Sequence, residues 1–519
     1  MSMSVLAKIG QMFDYPMAGQ SEHSRRARKI LAGVALACAV LVVATSPLKA
    51  VAIAVSAVAI LAAFLRPEAV IAALAVYTPF EPFLLKFVPD DIYLYARYFS
   101  EVLIYVLVAS AILKIAVGKR RLVDTPIDLP FFFFLLTAMT SLVINLVPPV
   151  YGILGLRQII RFILIFFVTV YLNPETVFIK KLTAVMFAVV LFQGALGAVQ
   201  AVVGGPLDEF LIPSERKFFE SIQLTSGTEQ FWSPGARVFA TMGRYDQLGT
   251  FLSFFFSIAL GLLYSLRSRA AKLKIGAVVL ASFPAFILTL SRASWFGLIL
   301  AVGLIGIVLM RDRRLMVGVA ALVLGSGIYL GFSGLVVRYL VDYPSQTLAE
   351  RFFETFSYER YRGEYYGLGR VYWFVQTPPV VVRSSPLFGV GPGQYGGGAA
   401  AALGNTSVYE KLGLPFGVAG TGGYIDNNWF SLWGETGTLG ILFYAWMFAG
   451  LGLMALKVWR KADDPFTRGL ALGYLGCLVA IAFQALLGTY FEVRTLALYF
   501  WLYGAFVYVL GRRARALSQ

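Results

Sequence analysis

The sequence predicts an all-α, polytopic integral membrane protein with about 14 transmembrane helices (12–14) and a large, mainly helical loop outside the membrane. Three observations predict this class. Hydrophobic residues make up 59% of the 519 residues, charged residues make up only 14%, and the apolar residues are grouped in long runs. Soluble globular chains have about 45–50% apolar and about 25% charged residues. The composition therefore excludes a soluble multidomain protein.

Apolar runs that are long enough to cross a bilayer recur along almost the whole chain. A spanning helix needs about 20 apolar residues, with about 17–25 tolerated. The first two runs are short enough to form one re-entrant hairpin. The fourteen runs are 30–46, 48–65, 69–88, 98–117, 127–147, 152–172, 182–204, 248–267, 275–291, 294–310, 315–337, 428–455, 468–488 and 495–511.

Lysine and arginine are concentrated in alternate loops between these runs. Examples are residues 25–29, 119–121 and 311–314. Because cytoplasmic loops carry the excess of basic residues, this alternation predicts that both termini are cytoplasmic. Much of the net charge of +16 is then explained by topology, and we expect no nucleic-acid partner.

This topology divides the chain into five regions. They are a cytoplasmic tail (1–29), transmembrane helices 1–11 (30–337), a large outside loop (338–427), transmembrane helices 12–14 (428–511) and a second cytoplasmic tail (512–519). A structureless loop as long as 338–427 is uncommon, so we expect a folded lid of helices there, with helix over 345–380. A second outside loop, 205–247, mixes charged residues with Phe and Trp, which is typical of a segment at the membrane interface.

Cysteine and histidine are too few for most metal or disulfide chemistry. Cys38 and Cys477 both lie in apolar runs, and His23, the only histidine, lies in the N-terminal tail. We therefore expect no structural disulfide, no His-ligated metal site and no histidine base in the membrane-embedded part.

Five arginines in or beside the runs are candidate site residues, because charges within the hydrocarbon layer are costly. Arg157 and Arg161 are spaced i, i+4 and share one helix face. Arg237 and Arg244 precede a run, and Arg292 lies between two runs. By parity all five face the outer side, where the planar donors of arginine suit a diphosphate-headed lipid.

Structural roles are the alternative for these arginines. Their side chains would then reach lipid phosphates, or they would close ion pairs with Glu101, Glu435 or Glu492.

The large outside loop contains a glycine-rich stretch. Residues 386–395 read Pro-Leu-Phe-Gly-Val-Gly-Pro-Gly-Gln-Tyr, and Gly391 to Gly396 spells a G-x-G-x-x-G. A dinucleotide site needs a strand before this motif and a helix that opens within it, and Pro392 argues against that helix. We expect tight backbone turns under a binding surface instead.

Two carboxylates near the next run are further candidates. Asp426, at the mouth of the run, is a candidate general base, and its alternative role is to cap the helix that follows. Both roles are compatible. Glu435 lies two turns further on, and its alternative role is a structural ion pair.

The order and spacing of these motifs resemble the bacterial O-antigen ligase and O-antigen polymerase family of membrane glycosyltransferases. The resemblance covers roughly residues 235–445. It rests on Arg237 to Gly243, Ser291-Arg292, Gly369-Arg370 with Trp373, Pro386 to Gly393, and Asn427-Asn428-Trp429 followed by Glu435, Gly437 and Gly440.

The resemblance implies a GT-C-like fold and inverting, metal-independent glycosyl transfer without a cofactor. It places the protein in the bacterial inner (cytoplasmic) membrane with its active site facing the periplasm. The donor would be an oligosaccharide linked to undecaprenyl pyrophosphate, and the acceptor a sugar hydroxyl. The candidate catalytic residues are then Asp426, Arg292 and Glu435, and the candidates for binding pyrophosphate and lipid-linked glycan are Arg157, Arg161, Arg237, Arg244, Tyr245, Arg370 and Trp373.

One departure from the family pattern favours a polymerase. Ligases of this family have a histidine before the Asn-Asn-like pair, where this sequence has Asp426. We therefore expect a polymerase that joins lipid-linked repeat units into O-antigen, capsule or exopolysaccharide. A chain-length-regulating membrane protein is the partner that this class implies.

Three other functions remain open. The first is a ligase that transfers glycan to lipid A core, and the second is a transporter of a small anion on the same scaffold. The third is a scaffold protein that gathers other enzymes.

Overall fold

The computed structural model describes residues 47–117, 122–213, 218–219, 222–223, 237–337, 358–415 and 425–517. The chain divides into two compact units, residues 1–61 and residues 62–519. All candidate site residues lie in the second unit. The predicted tail 1–29 and the run 30–46 lie outside the described residues, as do 338–357 and 416–424 of the large loop.

The described chain is almost entirely helical. Its helices are α1 (Pro47–Leu65), α2 (Pro67–Tyr77), α3 (Glu81–Leu85), α4 (Asp90–Ala116), α5 (Asp128–Ile144), α6 (Pro149–Ile160), α7 (Ile163–Leu172), α8 (Thr176–Val203), α9 (Gly205–Leu211), α10 (Tyr245–Ser265), α11 (Arg269–Leu288), α12 (Arg292–Val302), α13 (Arg313–Val337), α14 (Tyr358–Tyr366), α15 (Arg370–Gln376), α16 (Gly397–Leu403), α17 (Ser407–Lys411), α18 (Asn428–Lys461), α19 (Pro465–Gln484) and α20 (Arg494–Leu517). Two π-helical segments, Gly303–Leu309 and Thr377–Val382, extend α12 and α15. A two-residue hairpin in the loop 205–247 pairs β1 (Phe218–Phe219) with antiparallel β2 (Ile222–Gln223).

The chain is a helical membrane protein. Within the described residues, eight helices are long and apolar enough to cross a bilayer, or nine if the bent pair α6 and α7 is one span. Three further apolar helices are shorter, and they are α2, α5 and the segment Lys49–Leu65 of α1. The total of fourteen spans stays a prediction.

The run 69–88 was wrongly predicted as one spanning helix. Helix α2 ends at Tyr77, and α3 covers only Glu81–Leu85. Pro79 and Pro82 explain the break, because proline lacks the backbone N–H and disfavours helix in the residue before it. At 1.5 Å per residue, α2 is only about 16 Å long, about half of the hydrocarbon thickness.

The run 152–172 is also not one straight helix. It forms α6 and α7, which meet at an angle of 52°. Arg161 lies in this bend, as the residue that ends α6.

The centre of the bundle is formed by α10, α19 and α20. In the most apolar 18-residue stretch of each helix, 78% of the residues are buried in α10, 78% in α19 and 89% in α20. In α11 the corresponding share is only 17%. Glycines allow α10 and α19 to pack closely, since a Cβ on Gly261 would lie 2.2 Å from the backbone nitrogen of Gly473. Small residues at helix contacts are the usual means of close packing in membranes.

The described part of the predicted lid, 358–415, has a hydrophobic core of its own. Four short helices, α14 to α17, fold around Trp373, Tyr395 and Tyr409, all fully buried. The predicted helix over 345–380 is interrupted at Gly367–Gly369 between α14 and α15, and residues 345–357 lie outside the described part.

Candidate active site

Helix α18 is opened near its start by Gly437, whose φ of 69° and ψ of −173° are not helical. The glycine-rich stretch of the lid bonds to the opened backbone. Val390 and Gly391 donate to the carbonyls of Gly434 and Glu435 (2.8 and 2.9 Å), and Thr438 donates to the carbonyl of Pro386 (2.9 Å). Irregular backbone inside a membrane protein is tolerated where the protein satisfies it. The two motif regions of the sequence therefore form one structural unit.

The turns of this stretch depend on glycine. Gly389 and Gly391 have φ of 70° and 108°, a region that L-residues rarely adopt. A Cβ on Gly389 would lie 2.4 Å from the carbonyl oxygen of Gly434. The tight backbone turns predicted from the sequence are present, and no dinucleotide-type strand precedes them within the described residues 358–385.

Glu435 is the side-chain anchor of the glycine-rich stretch. Its Oε1 accepts hydrogen bonds from the backbone N–H groups of Gly393 (3.0 Å) and Tyr395 (3.3 Å), and the residue is only 5% exposed. These contacts are backbone hydrogen bonds and not the ion pair that was the structural alternative. They favour a positioning role over the catalytic role that the sequence suggested.

Asp426 pairs with Arg370 from the lid. Both Nε (2.9 Å) and Nη2 of Arg370 donate to Oδ2 of Asp426. The pKa of the Arg370 guanidinium is raised, because attraction to Asp426 outweighs the effect of burial. The pair ties the lid to the start of α18.

The capping role predicted as the alternative for Asp426 is wrong. Asn427 is the N-cap of α18, and its side-chain oxygen accepts from the backbone N–H of Phe430 (3.1 Å). The Asp426 carboxylate instead accepts from Arg370.

A second arginine–carboxylate pair lies at the start of α10. Arg244 donates from Nε and Nη2 to the two carboxylate oxygens of Asp246 (3.0 and 3.1 Å), so the contact is bidentate. The neighbouring Arg237 places its guanidinium carbon 4.1 Å from the ring centre of Tyr245, a cation–π contact. Three of the predicted binding residues are thus close together.

Tyr490 lies within electrostatic reach of both pairs. It lies in the connection between α19 and α20 and is 3% exposed. Burial raises the pKa of its hydroxyl well above the usual range, and the charges of Asp246 and Asp426 raise it further, against the opposing effects of Arg370 and Arg244. The hydroxyl therefore stays protonated while all four charged groups act on it. We call Arg244, Asp246, Arg370, Asp426 and Tyr490 the Tyr490 cluster.

The segment before α10 is fixed by two buried glutamines of α8. Gln200 Oε1 accepts from the backbone N–H groups of Phe239 (3.0 Å) and Ala240 (2.8 Å). Gln193 Oε1 accepts from the N–H of Thr241 (3.3 Å). Sequence reasoning missed both glutamines. Their seven-residue spacing, which puts them on one face of an apolar helix, was the available signal.

Arg292 is half-buried and is the first residue of α12. Its segment lies beside that of Arg237, because Val238 donates its backbone N–H to the carbonyl of Leu288 (3.3 Å). Arg292 and Arg237 therefore lie at the same end of the bundle.

Arg157 and Arg161 both pair with Glu101. Arg157 Nε lies 3.3 Å from Glu101 Oε1, and Arg161 Nη1 lies 3.1 Å from Glu101 Oε2. The shared helix face and the alternative of an ion pair with Glu101 are therefore both present. Arg494, which the sequence did not single out, also approaches Glu101 (3.9 Å).

Trp373 does not suit the substrate contact that the sequence suggested. It is fully buried and packs edge-on against the rings of Tyr395 and Tyr409. Its role in the described structure is to form the core of the lid.

Glu492 joins the lid to the helices from the connection that also carries Tyr490. It accepts from the backbone N–H of Gly398 (2.7 Å) and from Asn428 Nδ2 (3.1 Å). Burial raises the pKa of its carboxyl, and these hydrogen bonds act in the opposite direction. A small space next to Glu492 is lined by Asn428, Ser431 and Glu435.

Two further observations bear on the identity of the site. Within the part of the chain that the structure describes, no group of three or more His, Cys, Asp or Glu residues could hold a metal ion. Compared with known proteins, the chain matches no family model and no curated protein. The resemblance to O-antigen ligases and polymerases thus rests on the motif residues of the sequence.

Proposed function

We propose that this protein is a membrane glycosyltransferase that polymerises glycan repeat units carried on undecaprenyl pyrophosphate, facing the periplasm. The observation that carries the proposal is the Tyr490 cluster, in which the ion pairs Arg244–Asp246 and Arg370–Asp426 both act electrostatically on one buried hydroxyl. Together the two pairs hold the groups that inverting transfer from a diphosphate uses: guanidinium forks for the leaving group and a carboxylate for the proton of the acceptor.

In the proposed reaction, the hydroxyl oxygen of the acceptor sugar attacks the anomeric carbon of the donor. The bond between that carbon and the diphosphate oxygen breaks, and its electron pair leaves with the diphosphate. The acceptor proton passes to the carboxylate of Asp426. Arg370 and Arg244 stabilise the negative charge that develops on the leaving group.

The pairing of Asp426 with Arg370 gives the two groups linked roles. A diphosphate that takes the fork of Arg370 removes the cation from Asp426, and a carboxylate without its cation is a better proton acceptor. Binding of the donor would thus prepare the base. Arg237 and Arg292, at the same end of the bundle, extend the cationic surface.

The folded lid supports an enzyme over an anion transporter, since Arg370 comes from the lid and Asp426 from the helix entrance below it. A ligase would use the same chemistry with a different acceptor. The aspartate at the position where ligases have histidine supports polymerisation.

Purified protein in detergent, with a lipid-pyrophosphate-linked repeat unit as the only substrate and with EDTA present, tests the proposal on a gel. A ladder of products longer than the input is expected. Transfer only after lipid A core is added would identify a ligase. No transfer to either acceptor would contradict the proposal.

A further inference from the structure

The end of the bundle that lies opposite the Tyr490 cluster contains two strongly basic segments. Residues 266–275 follow helix α10, whose other end carries Arg244. Residues 310–316 connect the π-helical segment after α12 to α13. The Tyr264 hydroxyl donates to Oδ2 of Asp312 (2.8 Å), so the two segments meet at this end of the bundle.

Seven cations and one carboxylate lie in these two segments. The carboxylate, Asp312, accepts hydrogen bonds from the Tyr264 hydroxyl and from the backbone N–H of Arg314 (3.0 Å). Within the part of the chain that the structure describes, none of the seven basic side chains forms an ion pair. All of them are exposed except Lys272, which is half-buried. We call these side chains the basic surface, and they are Arg267, Arg269, Lys272, Lys274, Arg311, Arg313 and Arg314.

Exposed apolar side chains lie among these cations. Leu273 of α11 is 66% exposed, and Met316 and Val317 of α13 are 45% and 69% exposed. Exposed apolar residues beside charged ones are typical of a surface that contacts a membrane. Helices α10 and α11 are both long and apolar enough to cross a bilayer, so the residues at this end lie at the level of the lipid headgroups. We therefore expect lipids, and not a soluble partner, to adjoin the basic surface.

The chemistry of the basic surface favours an anionic headgroup. Positive charge that is clustered directly outside apolar segments attracts anionic phospholipids, and each cation strengthens the attraction. Long basic side chains can reach a phosphate while their apolar parts lie along hydrocarbon. A phosphate between the two segments would contact cations of both, because the bond between Tyr264 and Asp312 keeps the segments together.

We propose that the basic surface binds the headgroups of anionic phospholipids, such as phosphatidylglycerol, at the end of the bundle opposite the Tyr490 cluster. Membrane topology explains why loops on one side are basic, and the structure adds that two of these loops form one surface. A bound lipid would stabilise the folded protein, because a ligand of the folded state shifts the unfolding equilibrium. The inference does not depend on the proposed transfer reaction, since it concerns a different end of the molecule.

Binding of three probes to the full-length protein in a neutral detergent tests the inference. The probes are phosphatidylglycerol, phosphatidylcholine and the soluble headgroup glycerol phosphate. Native mass spectrometry measures the affinity of each probe, and thermal unfolding measures the stabilisation that it gives.

Each of two variants removes two exposed cations, one from each segment: Arg267→Gln with Arg313→Gln, and Lys274→Gln with Arg314→Gln. The second variant covers the case in which the first fails to fold. The matched control is Arg383→Gln with Lys411→Gln, because it also removes two exposed cations, but from the lid.

We expect phosphatidylglycerol to bind the wild-type protein about tenfold more tightly than phosphatidylcholine, or better, and to raise its unfolding temperature. Both variants should bind phosphatidylglycerol about tenfold more weakly than the wild type, and the control should keep wild-type affinity. Equal affinity of the wild type for the two phospholipids would overturn the inference, as would wild-type affinity in both variants or an equal loss in the control. Glycerol phosphate that binds as tightly as phosphatidylglycerol would assign the surface to a free anion and overturn it as well. Because turnover is measured separately, failure of the proposed function would leave this result intact.

Discussion

The charged side chains of the Tyr490 cluster form two ion pairs, and the two pairs come from different parts of the chain. Arg370 comes from the lid and Asp426 from the start of α18, while Arg244 and Asp246 flank the start of α10. An ion pair that is partly shielded from water depends on the relative position of its two partners. Loss of one partner leaves the charge of the other uncompensated. At the scale of residues, we therefore expect substitutions to have effects that depend on the shape of a side chain as well as on its charge.

Arg292→Lys is expected to lower transfer at least tenfold. A lysine keeps the charge but offers a point charge in place of the planar fork that a diphosphate needs. Gel quantification of product chains over time measures the rate. Arg269→Lys is the matched control, because Arg269 is also the first residue of its helix but is exposed. Full activity of Arg292→Lys would remove Arg292 from the site.

Glu435→Gln is expected to keep most of the activity and stability, since the amide oxygen still accepts from Gly393 and Tyr395. Glu435→Ala leaves these N–H groups unsatisfied, at a cost of about 1–3 kcal/mol for each. Thermal unfolding in detergent compares the two variants with Glu364→Ala, which breaks a partly exposed pair worth about 0–1 kcal/mol. A folded but inactive Glu435→Gln would restore the catalytic role that the sequence suggested.

The sequence identified most of the charged residues of the site but not their partners. Asp426 was singled out as a carboxylate at the mouth of a span, and Arg370 as part of the motif Gly369-Arg370, yet only the fold shows that they contact each other. Tyr490 was missed because a neutral tyrosine next to an apolar run has no special pattern. Asn427 and Asp426 are both good N-caps, so the sequence could not tell which one caps α18.

At the scale of elements, the interrupted start of α18 and the glycine-rich stretch of the lid are joined by backbone hydrogen bonds. The opened helix leaves backbone groups at residues 434–439, and residues 386–391 satisfy them. Asp426 lies just before α18, and Arg370 is the first residue of α15 in the lid. The geometry of the hydrogen-bonded contact requires glycine where two backbones approach each other.

Gly389→Ala is expected to destabilise the protein and reduce transfer. The added Cβ would lie 2.4–2.6 Å from backbone atoms of Gly434, Glu435 and Gly437, which cannot move aside like a flexible side chain. Gly413→Ala is the control, because Gly413 has a similar φ of 66° but open space around it. Thermal unfolding and the transfer assay should show a much larger loss for Gly389→Ala. Equal losses would mean that backbone strain alone, and not the contact with α18, limits this position.

The lengths of the apolar runs predicted most helices, and the failures have local causes. The run 69–88 is broken by Pro79 and Pro82, and the run 152–172 bends at Arg161. Hydropathy averages over such positions, so it detects the run but not the break. The break in α18 could not be predicted, because it depends on hydrogen bonds from a segment about 50 residues earlier in the chain.

At the scale of the whole molecule, the site residues lie at the ends of the most buried helices. Helices α10 and α19 pack through Gly261, Gly469 and Gly473. The start of α10 carries Arg244, and the connection after α19 carries Tyr490. A change in the packing of these helices would therefore change the distance between the two halves of the cluster.

Gly261→Ala is expected to lower the unfolding temperature and the transfer rate together. Its Cβ would meet the Gly473 nitrogen at 2.2 Å and the Gly469 carbonyl oxygen at 2.3 Å, so α10 and α19 must separate. Gly276→Ala, in the peripheral helix α11 with open space around it, should be neutral or slightly stabilising, since alanine favours helix over glycine by about 1 kcal/mol. Unchanged stability of Gly261→Ala would contradict the close packing.

We propose that the Asp426 carboxylate accepts the proton in glycosyl transfer once the donor has drawn Arg370 away from it. Transfer rates of Asp426→Asn and Asn427→Ala, measured side by side on purified protein, test it most directly. We expect Asp426→Asn to fold normally and lose about 10²–10⁴-fold in rate, the usual contribution of a general base. Asn427→Ala should lose about 1 kcal/mol of stability with the cap but keep its rate once folded. A wild-type rate and wild-type chain lengths from Asp426→Asn would contradict the claim.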